Sequence, residues 1–144
     1  MDAQQAPRAY HSTAVLLPDG RVLSSGQTNG SMSTTAEVFS PPYLFKGPRP
    51  TITAAPTDVA YASTFSVGSA QAASIAEVAL IGGGSVTHGV SFDQRYVRLP
   101  FSLDGDGLSI DAPARGSEAP PGWYMLFLID DAGVPSISAW VHLT

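Results

Sequence analysis

The chain has 144 residues, 7 Lys+Arg against 12 Asp+Glu and a net charge of −5. That length suits one domain of ordinary size with an appendage, and so few cations build no basic patch, which excludes nucleic acid as a partner. With no cysteine, disulfides and thiolate metal sites are excluded; no apolar run approaches the ~18 residues of a membrane-spanning helix, so no membrane is expected either.

Charged residues make up only 13% of the chain, while 12 Pro and 14 Gly interrupt it. Such a blend fits short strands joined by many turns and argues against a helical bundle. The first residues, Met1-Asp2-Ala3-Gln4-Gln5, lack the basic and apolar regions of a signal peptide.

In chain order, Ser12 to Leu17 and Arg21 to Ser25 read as strands linked by Pro18-Asp19-Gly20. Proline fixes φ and glycine accepts φ > 0, so that link is a hairpin turn. Gly26 to Thr35 is polar and reads as a loop, and Ala36 to Phe39 as a third strand. Ser40 to Pro50 holds Pro41, Pro42, Pro48 and Pro50, which is expected to prevent any regular element. It reads as an ordered linker, with a boundary near Thr51 dividing residues 1–50 from 51–144.

The remainder reads as all-β. Candidate strands are Thr64–Val67, Ile75–Ile81, Arg95–Phe101, Leu108–Asp111, Trp123–Asp130 and Ser136–Leu143. Asp104-Gly105-Asp106-Gly107 and Asp130-Asp131-Ala132-Gly133 supply turns between neighbours. The last strand alternates Ile137, Ala139, Val141 and Leu143 against Ser138, Trp140 and His142. Short strands at this spacing favour a β-sandwich. The Ala-rich start of Ala70 to Leu80 mimics a helix, but Gly68 and Gly82-Gly83-Gly84 bracket a strand-length segment. Three strands before the linker fall short of an independent sheet, so they either pack on the sandwich or belong to something larger.

Chemistry concentrates at Tyr10, His11 and His88, all at strand ends or loops. Imidazole suits copper, zinc, iron and nickel, and a phenol oxygen beside two imidazoles points towards copper or iron. An exposed loop histidine or a packing tyrosine would explain each residue less interestingly. His142 reads as solvent-facing, and Arg95, with Asp93, as a support for the His88 loop through its fork of donors. Trp123, Tyr124, Phe127 and Trp140 read as packing residues rather than a sugar-stacking platform. No helix follows Gly82-Gly83-Gly84, which excludes a phosphate cradle, and no Ser/His/Asp order points to a hydrolase.

A resemblance adds to this. Arg-Ala-Tyr-His-Ser-Thr-Ala-Val-Leu-Leu-Pro-Asp-Gly-Arg-Val-Leu at 8–23, Ala-Glu-Val-Phe-Ser-Pro-Pro-Tyr-Leu-Phe at 36–45 and Gly-Pro-Arg-Pro-Thr-Ile at 47–52 resemble the galactose oxidase and glyoxal oxidase family of copper radical oxidases. So do Val-Thr-His-Gly-Val-Ser-Phe-Asp-Gln-Arg at 86–95, Pro-Pro-Gly-Trp-Tyr-Met-Leu-Phe-Leu at 120–128 and Gly-Val-Pro-Ser at 133–136. The resemblance implies an immunoglobulin-like (early-set) β-sandwich over 51–144, preceded by a partial blade of a kelch-type β-propeller over 1–50. It implies copper ligation by Tyr10, His11 and His88, with Tyr10 also the catalytic base that takes the substrate's hydroxyl proton.

The family's radical site is a tyrosine cross-linked to a cysteine, and this chain has no cysteine. The resemblance therefore implies a copper half-site in the C-terminal part of an extracellular oxidase, inactive alone. Its implied partners are the missing propeller and, in the full enzyme, a carbohydrate or small alcohol or aldehyde substrate; the unpaired blade strands imply a homodimer. The alternative is a non-catalytic immunoglobulin-like module that binds a partner or a glycan through an exposed aromatic or apolar face.

Overall fold

A computed structural model describes residues 3–27 and 34–144. The described residues form thirteen strands, β1 (Ser12–Leu16), β2 (Val22–Gly26), β3 (Ala36–Phe39), β4 (Asp58–Val59), β5 (Thr64–Gly68), β6 (Ile75–Gly82), β7 (Val86–Thr87), β8 (Val90–Ser91), β9 (Tyr96–Leu99), β10 (Phe101–Asp104), β11 (Gly107–Asp111), β12 (Gly122–Asp130) and β13 (Ala139–Leu143), together with two short 3-10 helices. The all-β expectation holds. The expected polar loop at 26–35 lies, for residues 28–33, outside the described residues, as do Met1 and Asp2 of the N-terminal stretch.

Two sheets form the sandwich, one ordered β4-β13-β12-β6-β9 and the other β10-β11-β5. Between them lie Val78 and Leu80 of β6, Leu108 and Ile110 of β11, Leu126 and Leu128 of β12, and Val141 and Leu143 of β13, each almost wholly buried. Strand periodicity sends alternate side chains to this core. Burying each large aliphatic side chain stabilises the fold by about 1.5–3 kcal/mol.

The opposite face of the larger sheet is also covered. Met125 and Phe127 of β12 and Ala79 of β6 point away from the sandwich core yet are 2%, 2% and 0% exposed. Phe127, Ile129 and Ile81 share an apolar space of about 250 Å³ with Leu16, Gly20 and Tyr43 from the N-terminal segment. The run from Tyr124 to Leu128 is therefore continuously apolar because both faces of its strand are covered.

That cover is the antiparallel sheet β1-β2-β3 with the chain that follows it. Arg49 fastens it: Nη1 donates to Asp19 O at 2.7 Å in the β1–β2 turn, Nε to Pro135 O at 2.8 Å and Nη2 to Ser136 O at 2.5 Å. Ser138 N donates to Pro18 O at 2.9 Å. The N-terminal strands thus pack on the sandwich, one of the two alternatives the sequence left open. The expected Pro-Asp-Gly hairpin is present, with Gly20 at φ +80° and Asp19 Oδ1 accepting from Arg21 N.

Several expectations need correction. The proline-rich segment does hold a regular element, a 3-10 helix at Pro42–Phe45; proline fits a helix's first turn, where its missing N–H has no partner to lose. The single strand expected over Arg95–Phe101 is two, because the chain changes sheets at Pro100, leaving β9 in one sheet and β10 in the other. The last strand starts at Ala139 rather than Ser136. Residues 136–138 turn towards the N-terminal sheet and β12 instead, with Ser136 Oγ accepting from Leu128 N at 3.1 Å, which leaves Ile137 60% exposed. The short strands β4, β7 and β8 were not anticipated: two residues carry no periodicity. The Ala-rich stretch resolves into one 3-10 turn at Ala72–Ser74 and then β6.

Candidate metal centre

Tyr10 and His11 occupy the corner of a tight turn closed by Ser12 N donating to Ala9 O at 2.9 Å. The turn is tied down from behind. Ala9 N donates to Gln27 O at 2.8 Å, and Arg8 Nη1 to Gly26 O at 3.1 Å. Arg8 also pairs with Glu37 at 3.4 Å. Gly26, at φ +104°, lies so close that an added Cβ would meet His11 O at 2.6 Å and Ser12 Cα at 2.8 Å. Only glycine lets the chain pass there. Arg8 and Gly26 are thus supporting residues that the sequence reading missed; the signal was a glycine ending a strand directly before a polar loop.

His88 stands at the tip of a second hairpin. β7 pairs with β8 through Thr87↔Val90, leaving His88-Gly89 as a two-residue loop. Both have positive φ, +54° and +73°, as the type I′ hairpin turn requires. Glycine takes such a conformation freely, and histidine is among the few other residues that adopt it with some frequency. The Thr87 hydroxyl lies 2.8 Å from His88 Nδ1, which engages that nitrogen and leaves Nε2 as the other ring nitrogen. A Cβ on Gly89 would lie 3.7 Å from Tyr10 O, so the two turns abut.

The abutting turns bring together three rings from distant parts of the chain. Ring centres are 4.6 Å apart for His11 and His88, 4.7 Å for Tyr10 and His11, and 5.5 Å for Tyr10 and His88, with each pair inclined by 61–67°. An imidazole bound at about 2.0–2.1 Å through nitrogen holds its centre roughly 3.2 Å from the ion, so two at right angles have centres about 4.5 Å apart. The donor set and the observed 4.6 Å separation fit that requirement. Among the described residues, no group of three or more His, Cys, Asp and Glu side chains gathers to hold a metal; the third member here is a phenol. Tyr10 is 70% exposed, so its side chain is largely open to solvent.

The remaining candidates fall elsewhere. Arg95 does bond a carbonyl, but that of Glu118, at 2.9 Å. It ties down the 112–121 segment rather than the His88 loop, because β9 runs beside β6 and faces that segment. Tyr61 and Tyr124 hold the same segment through Ala119 O at 2.6 Å and Pro120 O at 2.7 Å. His142 is half-buried rather than solvent-facing. Its Nδ1 lies 3.1 Å from Asp58 Oδ1, and its ring stacks on Trp123 with centres 4.9 Å apart. Tyr124 and Phe127 pack as expected, but Trp123 and Trp140 are 53% and 44% exposed. They sit on the outer face of β12 and β13 beyond the cover of the N-terminal sheet.

Comparison with known proteins places the chain. The sequence model of the galactose oxidase-like, early set domain matches residues 49–143. The chain is 38% identical to galactose oxidase of Gibberella zeae, with 95% of this chain aligned to 22% of that protein. It is 39% identical to aldehyde oxidase GLOX of Vitis pseudoreticulata, with 95% aligned to 30%, and 38% identical to a WSC domain-containing protein of Arthroderma benhamiae, with 94% aligned to 15%. A solved fungal alcohol oxidase of the AA5 family, in complex with copper, superposes with a TM-score of 0.90 at 30% identity, over 99% of this chain and 32% of that one. The chain therefore spans less than a third of the length of these relatives. It belongs to the galactose oxidase-like early set domain family.

Proposed function

We propose that this chain is the C-terminal part of a galactose/glyoxal oxidase-like copper radical oxidase, an extracellular enzyme that oxidises an alcohol or aldehyde with O₂ and releases H₂O₂. In this reading residues 1–50 are part of a propeller blade, and Tyr10, His11 and His88 are copper ligands. The observation that carries it is the meeting of those three rings, contributed by two turns 77 residues apart, within 5.5 Å of one another. Kinship with oxidases, one of them solved with copper, supports copper over the other imidazole-seeking metals.

When bound, copper would accept one of the two electrons of the oxidation. His11 and His88 would hold it through neutral imidazole nitrogens, the Thr87 hydroxyl fixing which nitrogen His88 offers. The oxygen of the exposed Tyr10 side chain would take the proton of the substrate's hydroxyl, a general-base role. Nothing in the sequence supplies the second electron acceptor: without cysteine no tyrosine–cysteine cross-link can form. The site is thus a half-site, completed by the rest of a larger protein and inactive without it.

Titration of the chain with Cu(II), followed by calorimetry and electron paramagnetic resonance, tests this. Wild type is expected to bind one copper weakly with nitrogen hyperfine structure, and His11→Ala and His88→Ala each to abolish binding. Equal affinity in wild type and the double variant would sink the assignment. Mixed with galactose or glyoxal and O₂, the copper-loaded chain is expected to release no peroxide; turnover would overturn the half-site.

A further inference from the structure

The two turns that carry the three rings are specified differently. The His88-Gly89 turn sits in its own hairpin, and Gly89 supplies the positive φ of +73° that this geometry needs. The Ala9-Tyr10-His11-Ser12 turn contains no Gly, Pro, Asn or Asp, the residues whose local chemistry fixes a turn. Its shape therefore depends on what holds its base.

That base is held by a charge that the fold takes out of water. The Arg8 side chain is only 5% exposed, and a guanidinium is costly to bury unless it is paired and hydrogen-bonded. Its Nη1 donates to Gly26 O at 3.1 Å and its Nη2 to Thr35 Oγ1 at 3.2 Å, with Glu37 Oε1 3.4 Å from the same Nη2. Gly26 ends β2, where it pairs with Ser12, so both arms of the turn converge on one residue. Glu37 lies on β3 and does more than neutralise Arg8. Its Oε1 accepts from Ala6 N at 2.9 Å and its Oε2 from Gln5 N at 2.8 Å, so one carboxylate grips the chain at residues 5, 6 and 8, directly before the turn.

We propose that Glu37, acting through Arg8, is a positioning residue for the metal centre: the pair holds the Tyr10–His11 turn so that the His11 imidazole already faces His88 before an ion arrives. This rests on the reading of the three rings as a copper site. Neither residue is offered as a ligand. A guanidinium has donors only, and both Glu37 oxygens are engaged by Gln5, Ala6 and Arg8. What the pair supplies is preorganisation. Without it, ordering the turn would be charged against metal binding; with it, that cost is met on folding. Copper affinity is thereby tied to β3, a strand that contributes no ligand.

Cu(II) titration by calorimetry and electron paramagnetic resonance, with amide hydrogen exchange of the copper-free chain, tests the role. Arg8→Met and Glu37→Gln are each expected to weaken binding about tenfold while keeping nitrogen hyperfine structure, since both imidazoles remain. Because the two act as one unit, the double variant should lose no more than the larger single loss. Arg8→Lys, which keeps the charge without the fork, should recover part of it. Without copper, the Ala9 and Ser12 amides, bonded to Gln27 O and Ala9 O, should exchange faster in both variants. Arg115→Met, which breaks the exposed pair with Glu118, should bind copper as wild type does. Wild-type affinity in Arg8→Met and Glu37→Gln, unchanged exchange at both amides, or an equal loss in Arg115→Met would each overturn the proposal. Should circular dichroism show Arg8→Met unfolded, Glu37→Gln and Arg8→Lys carry the same comparison, and wild-type affinity in both decides against it. A wild-type chain that binds no copper would instead remove the metal centre itself and this inference with it, an outcome distinct from binding that the variants leave unchanged.

Discussion

Tyr96 shows how one residue carries a measurable signature of the fold. It sits on the edge strand β9, where its hydroxyl donates to Glu77 Oε1 and Arg98 pairs with the same carboxylate at 3.1 Å. Partial burial first, and then the bond to Glu77, push its pKa up to about 12 from 10.0. A raised acid pKa favours the protonated form in the folded state. Its contribution is therefore complete below pH 10 and is lost as pH rises from 10 towards 12. Burial moves Tyr43 and Tyr124 in the same direction. Absorbance at 295 nm during alkaline titration should show a late tyrosinate step with a midpoint of about 12, absent in Tyr96→Phe. Completion of the whole titration near the ordinary value would contradict it. The acid side has a counterpart in Glu37, whose carboxylate accepts from Gln5 N and Ala6 N and is held below its usual 4.5 by those bonds. That tether persists above the ordinary carboxylate range and loosens as pH falls through the depressed value.

Among the elements, the junction between the N-terminal sheet and the sandwich depends most on one side chain. Arg49 satisfies three carbonyls from two separate segments, a task suited to a planar guanidinium and beyond a single ammonium. Removing it strands partly buried acceptors, and hydrogen bonds to charged groups are each worth about 1.5–3 kcal/mol. Arg49→Ala should therefore cost about 2–4 kcal/mol in urea unfolding, with Arg49→Lys recovering only part of the loss. A change within about 0.5 kcal/mol, the range of an ordinary surface substitution, would show that apolar contact alone holds the junction. Phe127, which shares its apolar space with Leu16 and Tyr43 at that junction, would share in the loss, because its face of β12 would open to water.

At the scale of the whole molecule, the N-terminal sheet leaves two strand edges outside its own pairing. In the N-terminal sheet β1 and β3 are both outer strands, and Val38 and Phe39 of β3 are 48% and 40% exposed. Unpaired strand edges with exposed apolar side chains invite pairing with another chain. Residues 1–50 as a partial blade would find that pairing in the rest of a propeller. Without it, the isolated chain is expected to dimerise with rising concentration in light scattering, and Val38→Lys to suppress the dimer. A monodisperse monomer throughout would count against an open edge.

Much of this architecture was legible in the residues. Pro18-Asp19-Gly20 specified its hairpin because its φ requirements are local, and the alternation of Ala139, Val141 and Leu143 specified an inward face because strand periodicity is local too. The Tyr10, His11 and His88 assignment rested on local motifs and a family resemblance. What stayed hidden depended on contacts between segments far apart in sequence. The change of sheet at Pro100, the peeling of residues 136–138 towards the N-terminal sheet, the reach of Arg49 to Pro135 and Ser136, and the exposure of Trp123 and Trp140 all follow from what lies opposite each element. By itself the sequence determined an all-β chain, its principal turns and the three ring-bearing residues. Only the tertiary structure decided that two turns 77 residues apart abut and that β12 is covered on both faces, because both depend on packing that no local pattern encodes.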